Sequence, residues 1–523
     1  MKLSRIISAI ASARVRHAPS SAVQGADPEI SSVHYRSDQV TDGAMFFAIK
    51  GTHVDGHRFI QDAVNRGASA VVMNGRHNGP LTDGRQASVV SVEDTRKALA
   101  AMSAAFYDNP SEKLYLIGIT GTNGKTTTAY LIEHLLMSRG IDVGVISTIN
   151  YRYQGRIFDN PLTTPESSDL QKILSEMAGA GVTHVVMEVS SHGVALDRIH
   201  CCRFDLGIFT NLTQDHLDFH STMADYWACK QRFFTEYLAV GPKSGHAAAV
   251  INHNDEKGRE LLSGPLRNVR VIAVGSNPSN AVVPDEVVFD EHGMNGQIRF
   301  GNDAVTFRSQ LVGRYNLENI LCAAGAGIAM GLTPSEIIKG LSSFGGVHGR
   351  LERIPSRSNR HIYIDYAHTP DALLNVLTTL REIVTGRLIC VFGCGGDRDR
   401  KKRPQMGEIA ARLSDLAVIT SDNPRTESPD AIINDILAGV TPVLNREYTE
   451  RELEAGPTER GYIIQPDREK AIFLGIRVAR TGDTVLIAGK GHEDYQIIGQ
   501  RTLHFDDREK ANSALILIET GEN

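Results

Sequence analysis

The chain has 523 residues, 41% of them hydrophobic and 22% charged, with a net charge of −6 and a pI near 6.3. That length exceeds what one core can organise and predicts about three domains. The mildly acidic balance excludes a general basic surface, and extended nucleic-acid binding with it, so small molecules are the expected partners. Six cysteines (201, 202, 229, 322, 390 and 394) show no CxxC spacing, which fits free thiols in a reducing compartment.

The first residues, Met1 to Arg14, have an apolar run too short and too Ser-interrupted for a signal peptide, and Arg14 and Arg16 follow it. An amphipathic first helix is expected. No run of about 18 apolar residues occurs, so no membrane span is predicted and a cytoplasmic location is expected. Residues 1–112 mix short strands, such as 44–49 and 70–73, with helices and Gly-rich turns, predicting a small α/β domain.

The most informative stretch is Leu114 to Thr128, an apolar strand running through Gly121-Thr122-Asn123-Gly124-Lys125-Thr126-Thr127 into a helix. It reads as a triphosphate cradle. Glycines let backbone N–H groups close around phosphate oxygens, the helix N-terminus adds its positive end, Lys125 reaches the β- and γ-phosphates, and Thr126 offers a hydroxyl to Mg²⁺. The usual first glycine of such a loop falls at Ile119, with glycines at 118 and 121 instead.

Over 113–346, strands at 143–147, 184–188 and 206–209 alternate with helical segments, predicting a parallel sheet covered by helices. Polar clusters follow these strands: Glu188-Val-Ser190-Ser-His192, Asn211-Leu-Thr-Gln-Asp215-His216-Leu-Asp218, and Tyr226-Trp-Ala-Cys-Lys230. A carboxylate and an imidazole beside a triphosphate suit Mg²⁺, so a metal site is expected at these strand ends. Three glycines in 345–349 precede Arg350 and mark a boundary. Beyond it, over 347–523, apolar runs at 361–365, 388–392, 416–420 and 484–488 end in polar or Gly-rich turns, the layout of a doubly wound, Rossmann-like sheet with ligands at the strand carboxyl ends.

Together with Asp365-Tyr-Ala-His-Thr-Pro-Asp371, Phe392-Gly-Cys-Gly-Gly-Asp-Arg398, Asp422-Asn423-Pro424-Arg425 and Gly489-Lys-Gly-His-Glu493, these motifs resemble the ordered set of the Mur ligase family, and within it the diaminopimelate-adding type. The resemblance covers nearly the whole chain. It implies three α/β domains: a UDP-binding domain (1–112), a P-loop-like ATP-binding domain (113–346) and an amino-acid-binding domain (347–523).

The implied reaction is ATP-dependent addition of meso-2,6-diaminopimelate to the D-glutamate side chain of UDP-N-acetylmuramoyl-L-alanyl-D-glutamate, by a monomer using Mg²⁺. The resemblance implies Mg²⁺ contacts at Thr126, Glu188 and His216, and CO₂ held as a carbamate on Lys230. With Lys125, these last three form the expected catalytic group. Gly121 to Thr127, Asn316, Arg350 and Asp365 would hold ATP. Thr163, Thr164, Ser190 and Arg198 would hold the muramoyl-peptide end. Asp422, Asn423, Pro424, Arg425, Arg398, Gly489 and Glu493 would form the diaminopimelate pocket, with Arg425 on the distal carboxylate and Glu493 on the distal ammonium.

The family's Asp-Ser-Arg stands here as Arg36-Ser37-Asp38, so the uridine contact carries over only for Ser37, and a swapped ion pair would preserve the fold. The lysine-adding ligases are the nearest alternative and are disfavoured by Arg425. A folylpolyglutamate-type ligase is disfavoured by Thr126-Thr127, a switch-type NTPase by Lys230, and a non-enzymatic UDP-sugar binder by the Mg²⁺ constellation.

Overall fold

The computed structural model describes residues 1–10, 12–16, 27–51, 54–75, 87–215, 219–238, 243, 245–264, 266, 268–290 and 292–520. The chain forms two compact units, Met1–Val283 with Cys322–Thr333, and Pro284–Leu321 with Pro334–Asn523.

The first unit begins with a helix of one turn, Leu3–Ile7, which buries Leu3, Ile6 and Ile7. It is shorter than the amphipathic pattern predicted, because the chain turns into strand β1 (Arg14–Arg16). β2 (Ser32–His34), β3 (Ala44–Phe47), β4 (Ala70–Asn74) and β5 (Ser88–Val92) complete a sheet in the order β1-β5-β4-β3-β2, parallel except for β1.

A second sheet follows: β6 (Tyr115–Thr120), β7 (Val143–Ile146), β8 (Tyr151–Tyr153), β9 (Arg156–Phe158), β10 (His184–Glu188), β11 (Leu206–Phe209), β12 (Ala248–Asn252) and β13 (Arg270–Val274). The order β13-β12-β11-β6-β10-β7 is parallel, as the continuous apolar runs predict, and the small antiparallel pair β8 and β9 extends its edge. β6 lies centrally, so its carboxyl end delivers the Gly-rich turn to the middle of the sheet's edge. Gly118 is a packing residue of β6 and no part of the phosphate turn: a Cβ there would lie 2.6 Å from the Phe233 ring and 2.8 Å from Phe204.

β14 (Val282–Asp290), β15 (Gly293–Phe300) and β16 (Asp303–Ser309) were not separated from the alternating pattern by the sequence reading, and β15 and β16 form an antiparallel hairpin. The second unit is built on β17 (Glu352–Ile354), β18 (His361–Asp365), β19 (Leu388–Phe392), β20 (Leu416–Ile419), β21 (Gly461–Ile464) and β22 (Thr484–Ala488), in the order β17-β18-β22-β19-β20-β21, with only β17 antiparallel. Its apolar runs divide by the two-residue period of a strand. Tyr363, Cys390, Phe392 and Leu486 pack with the helices Pro370–Ile383, Lys402–Leu413 and Pro429–Val440. Ile362, Ile364, Ile389, Val391, Val485 and Ile487 pack on the other face with Arg468–Arg477 and Asp507–Thr520. Both faces are covered, which is the doubly wound architecture. A last hairpin joins β23 (Tyr495–Ile498) and β24 (Arg501–His504).

Arg468 and Asp507, both fully buried, join two of these helices with bonds of 2.8 Å (Nε) and 2.6 Å (Nη2). Removing one partner strands the other charge in the core. Asp507→Ala is expected to cost about 3–5 kcal/mol, read from the urea midpoint of the C-terminal unit. A loss under about 1 kcal/mol, the worth of a solvated pair, would refute this.

Candidate active site

The turn after β6 is strained in the way a phosphate cradle requires. Gly121 has φ +151°, where a Cβ would lie 1.9 Å from Thr210 Oγ1, and Gly124 has φ +84° at the N-terminus of the helix Lys125–Met137. Asn211 braces the turn, accepting from Thr122 N on its backbone oxygen (2.9 Å) and from Asn123 N on Oδ1 (2.9 Å).

Two lysines converge on one oxygen. Lys125 Nζ donates to the carbonyls of Gly121 (3.0 Å) and Thr122 (2.8 Å), and Lys230 Nζ donates to the same Gly121 carbonyl at 2.8 Å. Lys230 stands on the helix Met223–Arg232, just before the π-helical turn Phe233–Leu238, and is 1% exposed. Burial first, and then the Lys125 ammonium, push the Lys230 amine well below the ordinary lysine value. Its Nζ lies 4.5 Å from the Tyr226 ring centre, and the Tyr226 hydroxyl bonds Thr122 Oγ1 at 3.1 Å.

Glu188, at the carboxyl end of β10, is fully buried. Its Oε1 accepts from Thr126 Oγ1 (2.8 Å) and Thr148 N (3.0 Å), and its Oε2 from Thr148 Oγ1 (2.9 Å). These donors are neutral, and no ion pair reaches this carboxylate among the described residues. A buried anion beside a Thr hydroxyl is a hard-oxygen set that fits Mg²⁺. His216, the third expected metal contact, lies outside the described residues. Among the described residues no cluster of three or more His, Cys, Asp or Glu could hold a metal by itself.

The predicted sugar-peptide residues gather next to Glu188. Thr163 Oγ1 lies 3.1 Å from Thr148 Oγ1. Thr164 Oγ1 donates to the Glu188 carbonyl (2.9 Å) and accepts from Ser190 N (3.0 Å), while Arg198 donates to the Thr164 carbonyl (3.1 Å). Arg198 also pairs with Glu166 at 3.5 Å, and Arg96 from the N-terminal sheet's own helix meets the same carboxylate oxygen at 3.4 Å. The Ser37 hydroxyl bonds Asp62, helping to hold that carboxyl below the usual range. Arg36 and Asp38 pair with each other through two bonds of 3.1 and 2.7 Å, so the exchanged charges do form an ion pair.

In the second unit, Asn316 is buried and donates to the Val312 carbonyl at 2.9 Å. Asp365, at the carboxyl end of β18, accepts from Leu351 N (2.6 Å) and Ala367 N (2.8 Å). Burial raises its carboxyl, and the Arg350 charge opposes that. The Arg350 guanidinium lies over the Tyr366 ring, 4.6 Å from its centre.

The Asp422-Asn423-Pro424-Arg425 turn follows β20, opposite the Gly489 turn after β22. Asn423 is the hub: Nδ2 donates to Glu493 Oε2 at 2.8 Å, and Oδ1 accepts from Lys490 Nζ (2.9 Å) and Ile497 N (3.0 Å). Arg425 has φ +53° and donates through Nη1 to the carbonyls of Gly396 (2.9 Å) and Asn423 (3.4 Å). Among the described residues its Nη2 and Nε have no hydrogen-bond partner, and neither has Glu493 Oε1. Burial first, and then Asp422, raise the Glu493 carboxyl. Arg398 is exposed, donating to the Asp397 carbonyl at 3.3 Å, with its Cγ 3.7 Å from where a Gly395 Cβ would stand.

Sequence reasoning missed Thr148 and Arg403 as site residues, and left Asn211 and Lys490 inside their motifs without roles of their own. Thr148 carried a usable signal, the second of two hydroxyl residues, Ser147 and Thr148, that follow the apolar run of β7. Arg403 carried none: it is fully buried in a helix and braces the pocket loop through Glu427 (2.7 and 3.0 Å) and the Gly395 carbonyl (3.2 Å).

Three family descriptions match the chain in order: Mur ligase family, catalytic domain, at residues 29–107; Mur ligase middle domain at 119–327; and Mur ligase, glutamate ligase domain, at 349–491. A UDP-N-acetylmuramoyl-L-alanyl-D-glutamate–2,6-diaminopimelate ligase of Geobacter metallireducens is 47% identical over 486 residues, covering 93% of this chain and 94% of that protein. The protein of the same name from Gloeobacter violaceus is 44% identical, covering 94% of each. A solved structure of a UDP-N-acetylmuramoyl-L-alanyl-D-glutamate–2,6-diaminopimelate ligase superposes with a TM-score of 0.65 at 29% identity, covering 94% of this chain and 96% of that one. The MurF ligase of Thermotoga maritima in complex with ADP shares the fold, with a TM-score of 0.57 at 18% identity, covering 94% and 97%. The strained glycine turn, the buried Glu188 and the Asn423 hub thus sit in a chain matched over 29–107, 119–327 and 349–491 by successive Mur ligase domains, and this chain belongs to the Mur ligases.

Proposed function

We propose that this chain is an ATP-dependent acid–amino-acid ligase that joins meso-2,6-diaminopimelate to the D-glutamate side-chain carboxylate of UDP-N-acetylmuramoyl-L-alanyl-D-glutamate, a step of peptidoglycan precursor synthesis in the cytoplasm. The observation that carries the reading is the pocket around Asn423, where Glu493 accepts from the Asn423 side-chain amide and keeps one oxygen open, and Arg425 donates to the Asn423 backbone carbonyl and keeps an N–H edge open. These suit a carboxylate and an ammonium on the same carbon. Relatives named for the same reaction, at 42–47% identity, support it. The reading assigns uridine recognition to residues 1–112, phosphoryl transfer to 113–346 and amino-acid selection to 347–523.

The γ-phosphoryl group passes to the glutamate carboxylate, giving an acyl phosphate and ADP. The diaminopimelate amine adds to the acyl carbon, and the tetrahedral intermediate expels phosphate and loses the amine proton to leave an amide. Because a carboxylate and a triphosphate repel each other, the protein's task is to neutralise and position. Lys125 exchanges two carbonyls for phosphate oxygens, and the N–H groups of the 121–124 turn take up further charge. Bound Mg²⁺ would neutralise phosphate charge, held by Thr126, Glu188 and His216.

Lys230, whose ammonium form is disfavoured by burial and by the Lys125 charge, is a nucleophile for CO₂; the amine gains a carboxyl group, releases a proton and becomes an anionic carbamate facing Lys125. Thr163, Thr164, Ser190 and Arg198 hold the muramoyl-peptide end, Ser37 contacts uridine, and Asn316, Arg350 and Asp365 contact ATP. No helix among the described residues is long and apolar enough to cross a membrane.

The test is phosphate release from ATP with the UDP-muramoyl-dipeptide and a panel of meso-diaminopimelate, L-lysine and L-ornithine. Release with diaminopimelate alone is expected. Equal use of L-lysine would overturn the substrate assignment, and release without any amino acid would overturn the ligase.

A further inference from the structure

Lys490 is a lysine with no exposed surface at the floor of the amino-acid pocket, and the reaction as described does not use it. Desolvating an ammonium is expensive, so its partners matter. Nζ donates to Asn423 Oδ1 at 2.9 Å and to the Tyr495 carbonyl at 2.6 Å. It also makes longer ion pairs, with Asp422 Oδ1 at 3.5 Å and Glu493 Oε2 at 3.8 Å.

The consequence lies in Asn423. A carboxamide has two nearly isosteric ends, and only its surroundings decide which is oxygen. Two donors, Lys490 Nζ and Ile497 N, meet the same atom, so that atom must be the oxygen. The NH₂ end is then forced toward Glu493 Oε2, which it meets at 2.8 Å. One oxygen of Glu493 is thereby pinned and Oε1 is left for a ligand. The backbone of the turn is held independently, by Gln496 Nε2 on the Asp422 carbonyl (2.7 Å) and Gly396 N on the Asn423 carbonyl (2.9 Å). What Lys490 adds is a second donor that holds Asn423 Oδ1 beside Ile497 N, and an Nζ that lies near both the Asp422 and the Glu493 carboxyls.

We infer that Lys490 is a positioning residue for the amino-acid substrate: through Asn423 it fixes Glu493 as the acceptor for the substrate's distal ammonium. This rests on the reading that the pocket takes an amino acid carrying such an ammonium. In Lys490→Met, which keeps the apolar stem and loses the charge, the KM for diaminopimelate is expected to rise roughly 10- to 100-fold, the effect of misplacing a contact by about 1 Å. The KM values for ATP and the UDP-muramoyl-dipeptide should hold, as should kcat at saturating diaminopimelate.

A parallel rise in all three KM values, or no change in any, in a variant with wild-type melting behaviour would overturn the inference. Should Lys490→Met fail to fold, Lys490→Gln carries the same comparison; failure of both assigns the residue to stability and overturns it too. The wild-type arm separates the two readings. If the wild type uses L-lysine instead of diaminopimelate, the substrate assignment fails, while the Lys490 comparison is read on the KM for L-lysine.

Discussion

Lys230→Met is expected to lower turnover by about 10³-fold, the scale of removing a preorganised charge from an active site, without loss of folded protein. The wild-type amine is fully buried, donates to the Gly121 carbonyl and stands close to Lys125. Such an amine contributes little to stability, because desolvation opposes its charged form, so an apolar replacement of similar length should leave the melting temperature unchanged or higher. Loss of activity without loss of stability is the signature of a chemical role.

Bicarbonate should not rescue the variant, since no amine remains to take up CO₂. Carbon-13 spectra of protein equilibrated with labelled bicarbonate should show a carbamate resonance in the wild type and none in the variant. Wild-type phosphate release by Lys230→Met, or a carbamate signal that survives the substitution, would sink the assignment.

For Arg425→Ala, kcat/KM for diaminopimelate is expected to fall by about 10²–10³-fold, the range for removing one partner of a desolvated charge pair. The preference for diaminopimelate over L-lysine should shrink by a similar factor, because L-lysine lacks the second carboxylate and loses nothing when the guanidinium goes. Arg425→Lys should recover little, since an ammonium cannot present two parallel N–H groups. Backbone geometry adds a control. Arg425 holds φ +53°, a region costing a non-glycine residue about 1 kcal/mol. Arg425→Gly should therefore lose activity like the Ala variant while stability holds or rises. A glycine variant that loses both together would mean that Arg425 supports the fold and does not read the substrate.

Both predictions concern residues whose identity was legible in the sequence and whose surroundings were not. Arg425 was recognisable from its place in the Asp-Asn-Pro-Arg turn. Its left-handed backbone, its single engaged nitrogen and the bracing of its loop by Arg403 and Glu427 emerge only when two turns and a helix meet. Gly118 makes the opposite point. Its position beside the cradle invited a phosphate role, yet it lies within β6 and makes room for two phenylalanines distant in the chain.

The sequence by itself determined the parallel strands of the two larger sheets and the phosphate turn, though not β14, β15 and β16, because the former rest on local rules. Apolar runs too continuous for a half-exposed strand must be covered on both faces, and a Gly-rich turn between strand and helix exposes N–H groups whatever surrounds it. The tertiary structure alone decided which side chains share an atom. Thr126 reaches Glu188 across 62 positions, Lys230 reaches the Gly121 carbonyl across 109, and Lys490 reaches Asn423 across 67. Periodicity carries no information over such separations. The partners are set by which strand ends the sheet order places side by side, and burial then makes each of those hydrogen bonds obligatory.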